Sequence, residues 1–225
     1  MHACSTLRPG PLLAVFGVGL LILGTVLHPM QADPAMAEAA FAEYAADRHW
    51  AVSHLIQLAG IWAMIASLLL LARELAAGPA APWASLGRAF AIAGIAAAAA
   101  LQAVDGVALK MMVDSWAAAS EPKKSALFAA AYGVRQIEIG LAGMSCLLLG
   151  FMASIFGLAL VVDGSFPRWA GLLGIVGGVS TAVSGVVICY TGFSELAMAI
   201  NMPSVALLMT WIIVLGILSW KHSPQ

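Results

Sequence analysis

The stretch IEIGLAGMSCLLLGFMASIFGLALVV, residues 137–162, decides the fold. A helix needs about 20 consecutive apolar residues to cross the hydrocarbon core of a bilayer. This run exceeds that length, contains no proline and carries one charged side chain, Glu138, near its start. It therefore predicts a transmembrane helix, and the rest of the chain repeats the pattern.

Five more apolar segments lie on either side of this run. The composition fits this number, because 62% of the residues are hydrophobic and 9% are charged, whereas soluble domains have roughly 25% charged residues. Glycine, proline and aspartate separate the segments, as in the turn 163–167. We predict an all-α polytopic membrane protein, a single six-transmembrane-helix bundle formed by residues 1–225. Its predicted spans are 11–28, 50–71, 86–104, 137–162, 169–190 and 203–220.

Composition and motifs exclude several classes of function. The net charge of −1 offers no basic surface for nucleic acid, so RNA and DNA binding are not expected. The three cysteines form no C-x-x-C pair, which leaves covalent haem attachment and a thiolate zinc site without support. No P-loop, H-E-x-x-H or G-x-S-x-G motif occurs. The first apolar run is longer than the core of a signal peptide, and we expect it to remain as a transmembrane helix.

Two of the connections are predicted to be structured. Asp33 and Pro34 suit the N-cap and first position of a helix, and the segment up to Ala46 has apolar residues near helical spacing. This predicts a short helix on the membrane surface. Residues 107–121 contain neither glycine nor proline. The third and fourth spans are therefore expected to continue past the bilayer as an extended antiparallel hairpin that turns near Ser120.

The basic residues indicate the orientation in the membrane. Lys and Arg are equally numerous on the two sides of the predicted bundle, but those on the side of the termini lie in shorter connections. Short loops carry more weight in the positive-inside rule, so both termini are placed in the cytoplasm. The residues concerned are Arg8, Arg73, Arg88, Arg168 and Lys221. The tryptophans at span ends, which are typical of an aromatic belt, are Trp50, Trp83, Trp169 and Trp220.

Polar residues cluster at the opposite, predicted outer face of the bundle. They close the first, third and fifth spans and open the second and fourth, so six crossings bring them to one membrane level. This outer polar layer consists of His28, His54, Gln57, Gln102, Asp105, Arg135, Glu138 and Tyr190. Ionisable side chains at membrane depth are costly, which makes the layer the candidate functional site.

Spacing predicts contacts within the outer polar layer. Gln102 and Asp105 share one helix face, and so do Arg135 and Glu138, because both pairs are three residues apart. In an antiparallel hairpin, residues equally far from the turn lie at one level. We therefore predict a salt bridge between Asp105 and Arg135, with Gln102 and Glu138 beside it.

Several chemical roles fit this layer. Imidazole and carboxylate groups bind zinc and other divalent metals, and imidazole also carries protons near neutral pH. The side chains that would act in this way are His28, His54, Asp105 and Glu138. The two histidines could also be axial ligands of haem, although neither lies near the middle of a span. Alternatively, Arg135 neutralises the carboxylates and the polar side chains only occupy the helix ends.

From these alternatives we favour a non-catalytic accessory or small-ligand-binding membrane protein. A membrane-embedded metal-dependent enzyme, or a redox or proton-transfer protein, stays open as the second interpretation. Gly174 and Gly178 form a G-x-x-x-G motif that lets helices approach closely, either inside the bundle or in a homo-oligomer. The predicted hairpin is a further surface for a membrane protein partner.

Three short motifs resemble those of a broad group of proteins. They are Leu27-His28-Pro29, the segment Trp50-Ala51-Val52-Ser53-His54, and the turn Phe166-Pro167-Arg168-Trp169-Ala170-Gly171. In these motifs and in its layout the chain is similar to uncharacterised bacterial six-helix membrane proteins of the domain-of-unknown-function type. The resemblance implies a bacterial inner-membrane location and does not indicate a reaction or a ligand.

Overall fold

The computed structural model describes residues 9–222, so Arg8, which contributes to the predicted orientation, lies outside the described residues. Between these limits the chain is helical and contains no strand. The α-helices are α1 (Pro9–Leu27), α2 (Ala37–Ala46), α3 (Trp50–Glu74), α4 (Ala81–Gln102), α5 (Lys110–Ala117), α6 (Lys123–Asp163), α7 (Arg168–Thr191) and α8 (Glu195–His222). A 3₁₀-helix, Leu75–Ala77, extends α3, and a π-helix, Ala103–Leu109, joins α4 to α5.

Six helices in this range are long and apolar enough to cross a membrane, namely α1, α3, α4 with its continuation to Ala117, α6, α7 and α8. The prediction of an all-α six-helix bundle is confirmed. The continuous helix 81–117 and the 41-residue α6 form the extended hairpin, which turns at residues 118–122. The last helix begins at Glu195, before the predicted start of the span at Pro203, and this proline lies inside α8.

Both ends of the bundle have short links between helices, including residues 192–194 at the end opposite the termini, and only that opposite end has a long connection. At the end that carries the termini, residues 78–80 and 164–167 are the short links between helices. Gly164 ends α6 in the left-handed region with φ 75°, where a side chain would be strained. At the other end, residues 28–49 form a long connection that includes α2.

Close contacts at glycines bring α7 against α6 on one side and against α8 on the other. A Cβ atom added to Gly150 would lie 2.6 Å from the carbonyl oxygen of Gly178, and one added to Gly174 would lie 2.6 Å from the Trp211 ring on α8. Such distances are too short for any side chain, which is why small residues occupy these positions. The G-x-x-x-G motif therefore packs inside the chain, and an oligomer through Gly174 and Gly178 would require these helices to separate.

Helix α2 differs from the predicted surface helix in its start and in its contacts. It begins at Ala37, because Asp33 forms a turn with the following residues instead of capping a helix at Pro34. Its apolar face is buried against the extended hairpin, where Phe41 contacts the Trp116 and Phe128 rings. The helix is thus part of a second small core above the main bundle core.

Lys110 attaches the end of α2 to the hairpin. Its ammonium group donates hydrogen bonds to the carbonyl oxygens of Tyr44 and Ala45, each at 3.0 Å, and to the Asp114 carboxylate at 2.7 Å. A cation near the last carbonyls of a helix also interacts favourably with the helix dipole. The contact fixes Tyr44 beside the residues of the outer polar layer.

Candidate functional site

The centre of the outer polar layer is a pair formed by His54 on α3 and Asp105 in the π-helix. His54 Nε2 lies 3.0 Å from Asp105 Oδ2, and His54 Nδ1 lies 2.7 Å from the carbonyl oxygen of Trp50. The Trp50 carbonyl can only accept, so Nδ1 carries a hydrogen and Nε2 is the ring nitrogen that faces Asp105. The His54 ring is therefore held in one orientation between the Trp50 carbonyl and the Asp105 side chain.

The π-helix turns Asp105 towards α3. In a π-turn the backbone hydrogen bonds join residues five apart instead of four. The wider turn changes the direction of the side chains that follow. The neighbouring Gly106 permits the approach, because a Cβ at this position would lie 2.7 Å from the Cβ of His54. The backbone is also held here, since the indole N–H of Trp50 donates to the Asp105 carbonyl at 3.0 Å.

Trp50 lies at the centre of an aromatic cluster around this pair. Its ring centroid lies 4.6 Å from that of His54, 4.8 Å from that of His28 and 4.3 Å from that of Tyr44. Trp50 is 1% exposed, so it does not belong to the predicted aromatic belt, whereas Trp83 and Trp169 are exposed. The cluster closes the space between α1, α2 and α3.

His28 and Tyr44 complete the cluster from outside the long helices. His28 directly follows α1, its ring lies 5.0 Å from that of His54, and its Nδ1–H donates to the Pro29 carbonyl at 2.7 Å. Tyr44 comes from α2 and is buried. Burial raises the pKa of the Tyr44 hydroxyl above its ordinary value, and the Arg135 guanidinium beside it offsets part of that rise.

A second ion pair lies on α6. Arg135 Nη1 donates to both carboxylate oxygens of Glu138, at 3.1 and 3.3 Å, and Nη2 donates to the Pro34 carbonyl at 3.2 Å. The guanidinium also faces the rings of Phe193, at 4.8 Å, and Tyr44, at 5.5 Å. Arg135 and Glu138 are 4% and 3% exposed, so the pair is fully enclosed by protein.

The predicted salt bridge between Asp105 and Arg135 was wrong. Asp105 pairs with His54 and Arg135 pairs with Glu138. The reason is that the register of two helices gives the level of a side chain but not its direction. The π-helix directs Asp105 towards α3, and the closest carboxylate to Arg135 is on its own helix.

The remaining predicted site residues have separate environments. Gln57 packs against α1, where a Cβ on Gly24 would lie 2.6 Å from Gln57 Cγ. Gln102 is buried, and its Oε1 has no hydrogen-bond partner in the described part of the chain. The same holds for Asp105 Oδ1. Tyr190 is 87% exposed at the end of α7 and does not join the cluster.

Three of the four predicted metal ligands belong to the two ion pairs, and the fourth, His28, bonds to the Pro29 carbonyl. Among residues 9–222, no three His, Cys, Asp or Glu side chains are placed to hold a metal ion together. Glu138 is engaged by Arg135, and Asp105 is engaged by His54. A divalent metal, predicted on His28, His54, Asp105 and Glu138, has no support from this geometry.

A central cavity of about 260 Å³ begins directly below the outer polar layer. Leu101, Ala142 and Phe193 line the end next to the layer, and Leu68 and Trp211 line the far end. All six long apolar helices contribute to its wall, and only Ser145, Cys146, Thr181 and Asn201 are polar. The lining residues of α6 extend over residues 142–153, which is about 16 Å at 1.5 Å per residue. The cavity is therefore long and apolar, and one of its ends lies next to the outer polar layer.

Sequence reasoning missed three parts of this arrangement. Trp50 and Tyr44 were assigned to the membrane surface, although they join the two histidines to Arg135. The Pro34 carbonyl that accepts from Arg135 carries no sequence signal. The cavity has no signal either, since most of its lining residues are ordinary apolar residues of transmembrane helices.

Comparison with known proteins identifies no relative. No family model, no curated protein and no solved structure matches the chain. The function is therefore inferred from the geometry of the chain itself.

Proposed function

We propose that this protein is a membrane protein that binds a small apolar molecule in the central cavity, and that the outer polar layer closes the outer end of the bundle. The observation that carries the proposal is a cavity of about 260 Å³ to which every one of the six long apolar helices contributes. Cavities of about 150 Å³ with apolar walls already bind benzene, so this volume suits a molecule with two fused rings or a short chain. Ligand sites between the helices of a bundle are a common arrangement.

The pairing in the outer polar layer supports a structural role for it. Each charge faces a partner inside the protein, His54 with Asp105 and Arg135 with Glu138. Phe193 lies between this layer and the cavity, with the Arg135 guanidinium on its ring. A buried polar network whose members satisfy one another rigidifies the structure and holds the helix ends in one arrangement.

The proposed location is a bacterial inner membrane with both termini in the cytoplasm. Two observations support it. The short links 78–80 and 164–167 lie at the end of the termini and have Arg73, Arg88 and Arg168 close to them. The resemblance to bacterial six-helix membrane proteins points to the same membrane.

The proposed binding can be tested by photolabelling in lipid nanodiscs with 3-phenyl-3-trifluoromethyl diazirine, an apolar probe. We expect labelled peptides that contain Leu149 and Leu208, which line the cavity, and excess tetralin should suppress this labelling. Replacing Ala98 or Ala142 by leucine fills the cavity and should reduce the labelling about fivefold or more, because overfilling a packed site typically costs about 1–3 kcal/mol.

The matched control is Ala96→Leu, which adds the same side chain to an exposed position of α4. It should leave the labelling of the cavity residues unchanged. Phe16 and Val176 are exposed and should be labelled from the lipid without saturation in all variants. If labelling of Leu149 and Leu208 does not saturate, or is the same in the filled variants, the proposed function is wrong.

A second candidate is a membrane-embedded enzyme or proton-transfer protein. It is favoured by the His54–Asp105 pair, because Asp105 lies in a π-helix and π-turns occur frequently at functional sites. It is also favoured by the second Asp105 oxygen, which has no partner in residues 9–222. Metal analysis and an absorbance spectrum of the purified protein separate the candidates. Near-stoichiometric metal that disappears in His54→Ala would favour this second function.

A further inference from the structure

The central cavity contains one group of polar side chains in an otherwise apolar wall. Ser145 and Cys146 are neighbours on α6, and Asn201 faces them from α8, with its Oδ1 3.7 Å from the Cys146 sulfur. Asn201 Oδ1 also accepts the Ser184 hydroxyl at 3.0 Å. The group therefore lies at a defined place in the cavity wall, one turn below the end that meets the outer polar layer.

Ser145 is the unusual member of this group. It is 5% exposed, it lines the cavity, and its hydroxyl has no hydrogen-bond partner in the described part of the chain. Serines in transmembrane helices commonly bond to their own backbone, as Ser154 on the same helix does with the Gly150 carbonyl. A buried hydroxyl without a partner costs about 1–3 kcal/mol, so its retention calls for an explanation.

Asn201 supplies a second donor at the same place. Its two known contacts both use the amide oxygen, which leaves the N–H groups of Nδ2 outside them. The Ser145 O–H and the Asn201 N–H are donors, and a ligand oxygen with two lone pairs can accept from both. No charged side chain lines the cavity, so a charged ligand would have no counter-charge there.

We propose that the ligand of the central cavity is an uncharged, elongated apolar molecule with a carbonyl or hydroxyl oxygen, and that Ser145 and Asn201 bind this oxygen. The inference rests on the proposed function, because it requires that the cavity binds an apolar molecule. The apolar wall supplies most of the affinity, and the two donors fix the position of the oxygen along the cavity. Ser145→Ala removes one donor without adding volume.

The test compares tetralin with 1-tetralone, which has the same ring skeleton and one carbonyl group. Each compound displaces the diazirine probe from the cavity residues in wild type, in Ser145→Ala and in the control Ser154→Ala, whose hydroxyl bonds to its own backbone. Comparing variants for one compound removes the effect of its partition into lipid. We expect Ser145→Ala to raise the concentration of 1-tetralone for half displacement about 2- to 12-fold, the range for one hydrogen bond, and to leave tetralin unchanged.

The possible outcomes distinguish this inference from the proposed function. If both compounds displace the probe equally well from wild type and from Ser145→Ala, the inference is wrong and the binding of apolar molecules stands. If Ser145→Ala weakens both compounds to the same extent, its effect is on packing and the inference is also wrong. If neither compound displaces the probe from the wild-type cavity, the proposed function itself fails.

Discussion

Replacing Arg135 by methionine is expected to lower the free energy of unfolding by about 3–5 kcal/mol, because it leaves the Glu138 carboxylate buried without a counter-charge. Both side chains are almost fully enclosed, so water cannot replace the lost partner. The Pro34 carbonyl would lose its donor at the same time, which releases the segment before α2. Titration with a denaturing detergent measures the change.

A double variant and a surface control complete this experiment. Combining Arg135→Met with Glu138→Leu removes both charges, and it should restore at least half of the lost stability, because a buried ion pair can often be replaced by apolar side chains at little cost. Arg88→Met changes an exposed arginine on α4 and should have little effect. An Arg135→Met protein as stable as wild type would show that the pair is not enclosed as described.

The second large effect is expected for Trp50→Ala, which should destabilise the protein by about 3–5 kcal/mol, the usual cost of deleting a buried tryptophan side chain. The ring contacts His28, His54 and Tyr44, and its N–H holds the π-helix at Asp105. The substitution therefore removes the common contact of three separate segments. The same detergent titration gives its magnitude.

Trp62→Ala is the matched control for this substitution. Trp62 is also on α3, and its indole N–H also donates to a backbone carbonyl, that of Ile95 at 3.2 Å. However, Trp62 is 42% exposed and does not join the cluster. Trp62→Ala should cost less than half as much as Trp50→Ala. Equal losses would mean that the aromatic cluster contributes nothing beyond one tryptophan hydrogen bond.

The fold could be predicted largely because hydropathy alone specifies it. A run such as 137–162 has no stable alternative to a transmembrane helix, since unpaired backbone groups are not tolerated in lipid. The ends of helices were harder to predict. The sequence predicts a span that starts at Pro203, but the neighbours of a transmembrane helix can compensate for a proline, and α8 begins earlier, at Glu195.

The candidate site could be predicted in its members and only partly in its contacts. Polar residues at span ends identified His28, His54, Asp105, Arg135 and Glu138. Their pairing depends on helix rotation, and the π-helix at Asp105 altered that rotation without any mark in the sequence. The partner of Asp105 is His54 on α3. Because α3 is not part of the hairpin, the register of the hairpin could not predict this pair.

The cavity could not be predicted from the sequence. Its volume is what is left when six helices pack at the distances set by their small residues, such as Gly150 against Gly178. No single residue specifies it. Ser145 is one of four polar residues in its wall, and the sequence does not show that its hydroxyl has no partner within residues 9–222.

The most direct test of the central claim is X-ray diffraction from crystals of the protein pressurised with xenon, which binds in apolar cavities. We expect a xenon peak inside the bundle, between Ala98, Leu149 and Leu208. In an Ala98→Leu crystal this peak should be weak or missing. Xenon found only on the lipid-facing surface, with side chains filling the space between the helices, would contradict the proposal that the bundle encloses a binding cavity.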